Sequence, residues 1–325
     1  MNKGISIISP ASSFLKDYPN RVKQGCDFLK SQGFNVKIEK NAIKNDSYYS
    51  ASIEERVDDI NNALNDKDIN YIMASIGGYN SNQILRNLDY NKISQSNKIF
   101  CGYSDITCLI LAIYSKTKKI ALHGPTFLPE ICEYPKTYDY TWKYFLEALN
   151  FNPIEYKEPT YVVKEFVDWK IQEEKLVERK KEANNEKWTI NKKGKAVGKI
   201  IGGNLSSILT IVGTEFLPLE IFNDKILFLE DTNIEIPEFD SFMQSLKLRG
   251  IFENIKGLII GKFDNSKNNS EVEGFLNVFF KEYNFPIIYN VDLGHTNPMI
   301  TIPIGATALL ECGENGKIIF KILSY

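Results

Sequence analysis

Three side chains able to do nucleophilic and acid–base chemistry follow apolar runs in this chain: Ser104 in CGYSDIT, Glu230 in FLEDT and His295 in LGHTNP. A hydroxyl at a strand-to-helix turn stands exposed beside the free N–H groups of the helix start, which suits a nucleophile and equally suits an ordinary helix cap. A serine oxygen attacks well only when a neighbouring base takes its proton, and only two histidines, His123 and His295, are available for that at neutral pH. Each closes an apolar run in a tight loop, LHGP and LGHTNP, where a purely structural histidine is the competing reading. The acid that orients such a base must be near it in the fold rather than in the chain. Glu230 and Asp231 end an apolar strand and are the candidates, with turn or capping chemistry as the alternative. Ser104, Glu230 and His295 are thus the parts of a nucleophile, an orienting acid and a base, each at a strand exit.

An oxyanion needs preorganised N–H donors, and glycine turns let the backbone approach a substrate. SIGGYNSN could offer one N–H from Gly77 or Gly78, and Asp105, which follows the serine, a second. The same loop could cradle a phosphate, but neither GxGxxG nor GxxxxGK[ST] is present, so a nucleotide cofactor is weakly supported. Two distant histidines, no HExxH and no clustered cysteines argue against a metal, and no cofactor is expected. The hydrolase elbow GxSxG is also incomplete, with Ile106 where its second glycine belongs, which disfavours a standard α/β-hydrolase. Asn204, in GGN, reads as the N-cap of a helix from Leu205 or as a holder of a substrate carboxylate. His123 is assigned to structure, its HGP turn bracing the floor of the first domain.

The elements that must position these groups alternate short apolar runs with amphipathic ones, the pattern of parallel strands joined by crossover helices. Strands are expected at Gly4 to Ser9, Tyr71 to Ser75, Lys98 to Gly102 and Ile120 to Leu122. Helices are expected at Arg21 to Ser31, Ser52 to Leu64, Ser81 to Leu88 and Asp105 to Tyr114, the second opened by a capping box of Ser52 and Glu55. The second half resumes with a strand at Gly198 to Ile201, a turn at Gly202-Gly203-Asn204, and strands at Lys225 to Leu229, Gly257 to Ile260 and Pro286 to Val291. Ala306 to Glu311 and Lys317 to Leu323 form a hairpin. The fold class is therefore α/β: an N-terminal open parallel sheet flanked by helices, and a C-terminal α/β domain with a mixed sheet. Residues 1–165 are expected to carry the nucleophile, 166–197 to be a charged linker and substrate loop with room for a fragmentary β element, and 198–325 to carry Glu230 and His295.

At 325 residues the chain is long enough for two domains, and 39 Lys plus Arg nearly cancel 41 Asp plus Glu. That leaves no charge excess to attract nucleic acid or an anionic membrane. Five cysteines without CxxC spacing, and a start with too short an apolar run for a signal peptide, point to a reducing, cytoplasmic setting.

The blocks SIGGYNSNQIL, CGYSDITCLILAIYSKT, LHGPTF, GKIIGGNLSSI, ILFLEDTNI and GHTNPMITIPIGATA, in that order, resemble the serine peptidase family that holds the LD-carboxypeptidases of murein recycling and the microcin C immunity proteins. The resemblance implies a Ser104–Glu230–His295 triad drawn from two domains, an oxyanion hole from Gly78 and Asp105, no metal, a cytoplasmic location and a homodimer. GGYNSN, the stretch before Trp188, and LEDTNI look closer to the immunity branch, whose members hydrolyse the amide between a peptidyl or aminoacyl group and a modified nucleotide. On that likeness Trp188 matches a loop tryptophan that stacks on the base, with Gly77, Asn80 and Asn204 as further substrate contacts. The segment Phe166-Val167-Asp168-Trp169 departs from the family pattern. Two other readings stand beside this one: a murein tetrapeptide LD-carboxypeptidase, and a non-catalytic binder of peptidyl nucleotides.

Overall fold

The computed structural model describes residues 3–175, 177–262 and 269–325. In the first half, strands Lys3–Ile8, Phe34–Ile38, Ile69–Ala74, Ile99–Gly102 and Ala121–His123 run parallel in one sheet. Helices cover this sheet, which is why its central strands read as unbroken apolar runs rather than as alternating ones. Helix Pro19–Ser31 starts with proline at its first turn, where the missing N–H is no loss. Helix Ile53–Asn65 is opened by the expected capping box, Ser52 and Glu55 each bonding the other's main-chain N–H.

The second sheet is mixed, with eight strands. Gly194–Asn204, Lys225–Glu230, Gly257–Gly261 and Ile287–Val291 run parallel, while Thr307–Cys312 and Ile318–Ser324 form the expected hairpin and extend the sheet antiparallel.

Two local expectations are corrected. Gly202-Gly203-Asn204 is not a turn: the ladder continues through Gly202↔Phe228, Gly203↔Leu229 and Asn204↔Glu230, which satisfies main-chain groups that a turn would have left unpaired. Ser81–Asn87 is a 3₁₀ helix rather than an α-helix. Within the expected linker, Thr189–Lys192 pairs with Ile287–Val291 as the outer strand of the second sheet.

The chain also crosses between the sheets. Strand Ile302–Ile304 returns to the first sheet beside Ala121–His123, and Ile154–Glu155 edges the second beside Ile318–Ser324. Among the described residues no helix is long and apolar enough to cross a membrane.

Candidate active site

The parallel strands of both sheets point their carboxyl ends at one cleft of about 730 Å³, the usual ligand position in open α/β sheets. Its walls are the segments that follow those strands: Gly77 to Tyr79, Tyr103 to Asp105, Asn204 to Ser207, Asp231 and Thr232, and His295.

Ser104 follows strand Ile99–Gly102 after a single residue, Tyr103, and adopts φ of 59°, in the left-handed region that a non-glycine residue occupies only when its surroundings hold it there. The strained turn is continued by one turn of 3₁₀ helix and then by helix Thr107–Thr117, so the hydroxyl stands free at the cleft floor. Ser104 Oγ lies 3.1 Å from His295 Nε2. His295 sits in the loop after Ile287–Val291, and its Nδ1 lies 2.7 Å from Glu230 Oε2, which also accepts the main-chain N–H of His295 at 3.3 Å. Glu230 ends its strand fully buried.

Burial alone would keep Glu230 protonated, but the imidazoles of His295 and His123 outweigh it and hold the carboxyl well below the usual range. For His295, burial pulls the other way and favours the neutral ring, yet the Glu230 carboxylate prevails and raises it above the ordinary histidine value. The line is therefore an ionised acid, an imidazole of enhanced basicity and a hydroxyl within reach of it, the arrangement that activates a serine for attack.

The glycine loop meets this line closely. A Cβ at Gly77 would stand 2.9 Å from Ser104 Cβ and 3.0 Å from its Oγ, so only glycine lets the loop approach the hydroxyl. Asp105 fastens the same loop: its Oδ2 accepts the amides of Asn80 and Ser81, and its main-chain oxygen accepts the Ser81 hydroxyl. Gly78 also lines the cleft beside Asp105.

Asn204 does what its capping reading requires, accepting the Ser207 amide at 3.0 Å, and it also lines the cleft. Asp231 binds the Asn204 side chain and the Ser206 amide, so of the paired carboxylates one bonds His295 and the other holds a cleft wall.

Two expected substrate contacts lie outside the cleft lining in this structure. Asn80 is buried, its side-chain oxygen taken by Arg56 at 2.9 Å and its amide by the Tyr48 carbonyl, and it is not among the residues lining the cleft. Trp188 is buried as well. Its indole N–H donates to Asp292 Oδ2 at 2.8 Å, and the other Asp292 oxygen pairs with Lys262 at 2.5 Å. The indole is 7 % exposed and does not line the cleft.

The sequence reading missed several groups. Glu130 is buried beside the site, accepting Tyr103 O–H at 2.8 Å and the amide and hydroxyl of Thr126. This pins Tyr103, whose ring meets the His295 ring edge-on at 5.0 Å. Nothing in FLPEI marks Glu130 as anything but a helix carboxylate, whereas Tyr103, adjacent to Ser104, could have been singled out by position. Tyr79 stands 87 % exposed at the cleft mouth, a large aromatic with no packing role of its own.

The chain matches the LD-carboxypeptidase N-terminal domain over residues 5–124 and the LD-carboxypeptidase C-terminal domain over residues 197–310. The chain belongs to the LD-carboxypeptidase family. Among its relatives is the microcin C7 self-immunity protein MccF of Escherichia coli, 34% identical over 90% of this chain and 86% of that protein. A probable murein peptide carboxypeptidase of Bacillus subtilis is 28% identical over 98% and 92%. Of solved structures, an MccF-like protein from Bacillus anthracis superposes with a TM-score of 0.91 at 32% identity, covering 100% of this chain and 97% of that one. MccF in complex with glutamyl sulfamoyl guanosine gives 0.89 at 32% identity, with the same coverage.

Proposed function

We propose that this protein is a serine hydrolase that cleaves the amide joining an aminoacyl or peptidyl group to a modified nucleotide, with Ser104 as nucleophile, His295 as base and Glu230 as the acid that orients it. The observation that carries the reading is the unbroken line of Ser104 Oγ, His295 Nε2, His295 Nδ1 and Glu230 Oε2 at the floor of a cleft large enough for a small ligand.

In the first half-reaction His295 Nε2 takes the Ser104 proton as Oγ bonds to the acyl carbon. The oxyanion is held by the N–H groups of Gly78 and Asp105, and each such donor is worth about 2.7–4 kcal/mol of barrier. Collapse breaks the amide, and the proton on His295 leaves with the departing nitrogen. Water then gives its proton to His295, attacks the acyl ester and restores the Ser104 hydroxyl. Glu230 stays ionised throughout and stabilises the imidazolium in both steps.

The substrate class is supported by the likeness to MccF, whose structures hold aminoacyl sulfamoyl nucleosides. The homodimer and cytoplasmic setting implied by the family resemblance complete the proposal. The test is turnover on a panel of aminoacyl sulfamoyl adenylates and murein tetrapeptides, with Ser104→Ala beside the unaltered chain. We expect release of the amino acid from the adenylates and a loss of at least about a thousand-fold in kcat for Ser104→Ala. Release of D-alanine from the tetrapeptide alone moves the substrate to murein, and binding without turnover makes the protein a sequestering one.

A further inference from the structure

His123 takes no part in the steps above, yet it ends strand Ala121–His123 wholly buried against the carboxylate that orients His295. Its Nε2 lies 3.5 Å from Glu230 Oε1. Among the described residues neither ring nitrogen of His123, nor Glu230 Oε1, has a hydrogen-bond partner. A buried polar atom left without a partner costs about 1–3 kcal/mol, and more if it carries charge, so two such atoms facing each other call for a single explanation.

The other oxygen of Glu230 is fully used, since Oε2 takes both the Nδ1 and the main-chain N–H of His295. Nor can the carboxylate swing away from His123. Gly294, at φ of 70°, packs so closely that a Cβ there would lie 2.1 Å from Oε2. The imidazole is equally confined, edge-on to the rings of Phe228 at 5.1 Å and Tyr103 at 6.1 Å, on a backbone paired to Ile302. A shift of a few tenths of an ångström brings Nε2 and Oε1 to ordinary N–H···O length.

We propose that His123 is a positioning residue that donates Nε2–H to Glu230 Oε1, making the working order His123, Glu230, His295, Ser104; this rests on the triad reading above. His123 lines no part of the cleft. It acts by fixing the free oxygen of a buried carboxylate, so that the plane of the carboxylate, and with it the imidazole of His295, stays aimed at Ser104. A second group behind the base is used in the same sense as the partners behind metal-bound histidines.

With only two histidines in the chain, protein labelled with ¹⁵N at histidine reports both rings, and His295→Gln assigns them. We expect the proton of His123 on Nε2; a bare Nε2 facing Glu230 overturns the proposal, whether or not a substrate has been found. Kinetics supply the second arm, with thermal unfolding checking that each variant is folded. His123→Leu removes the donor and is expected to lower kcat about 10- to 100-fold with KM within threefold, whereas His123→Gln, which keeps an N–H at a similar reach, regains most of the loss. Equal losses in both variants, or a change confined to KM, refute it. Failure of the triad reading looks different: turnover then survives Ser104→Ala, while the labelling result stands on its own.

Discussion

His295 lies between two influences that decide when it can work. Burial favours its neutral ring and Glu230 its charged one, and because the carboxylate prevails the ring holds its proton to a higher pH than an ordinary histidine. On the proposed mechanism His295 must be neutral to accept the Ser104 proton, so kcat/KM is expected to rise with pH through a midpoint above 6.5, the ordinary value. A pH–rate profile whose acid limb turns at or below that value contradicts the coupling. Trp188 makes the opposite kind of prediction. Trp188→Phe removes the only side-chain donor to Asp292 Oδ2 among the described residues and leaves a buried carboxylate oxygen unpaired, at about 1–3 kcal/mol of stability. Urea unfolding should register that loss while KM for a cleaved substrate stays unchanged; a raised KM at full stability returns the indole to the cleft. The family resemblance implied a tryptophan available to a ligand. Its burial depends on Asp292 and Lys262, distant in the chain, and no local signal records them.

Helix Ile53–Asn65 shows what local chemistry can specify. Its capping box uses only Ser52 and Glu55, three residues apart, so it was readable without any knowledge of the fold. Ser52→Ala should cost about 1 kcal/mol in denaturant unfolding, and a change under a few tenths means that the box contributes nothing to the folded protein. The strand-to-helix turn at Ser104 was legible for a similar reason, because the switch from an apolar run to helical periodicity lies within a few residues. The extension of Gly194–Asn204 through its glycines was not. Glycine and asparagine together signal a turn, and only the neighbouring strand Lys225–Glu230, offering its main-chain groups in register, makes an extended conformation preferable there. That extension matters to the site, since the register opposes Asn204 to Glu230 and sets the helix it caps against the cleft.

At the scale of the whole molecule, neither sheet is complete without chain from the far side of the sequence. Ile302–Ile304 closes the first sheet next to the strand that ends in His123, and Ile154–Glu155 edges the second. Strands exchanged in this way couple the two bodies, so calorimetry should record one transition with equal calorimetric and van't Hoff enthalpies, and two resolved transitions would show the bodies to unfold independently. The sequence alone determined the α/β class, most strand positions, the turn that carries Ser104, and the family blocks in which Ser104, Glu230 and His295 lie. These rest on periodicity, capping and short motifs, in which every interacting residue lies within a few positions of the next. Tertiary structure decided the rest: that His123 lies against Glu230, that Asp105 fastens the glycine loop, that Glu130 pins Tyr103, and that Asn80 and Trp188 turn inward. Each is a pairing of buried polar atoms, and a buried polar atom takes whatever partner the packed sheets bring within about 3 Å, however far away in the chain that partner lies.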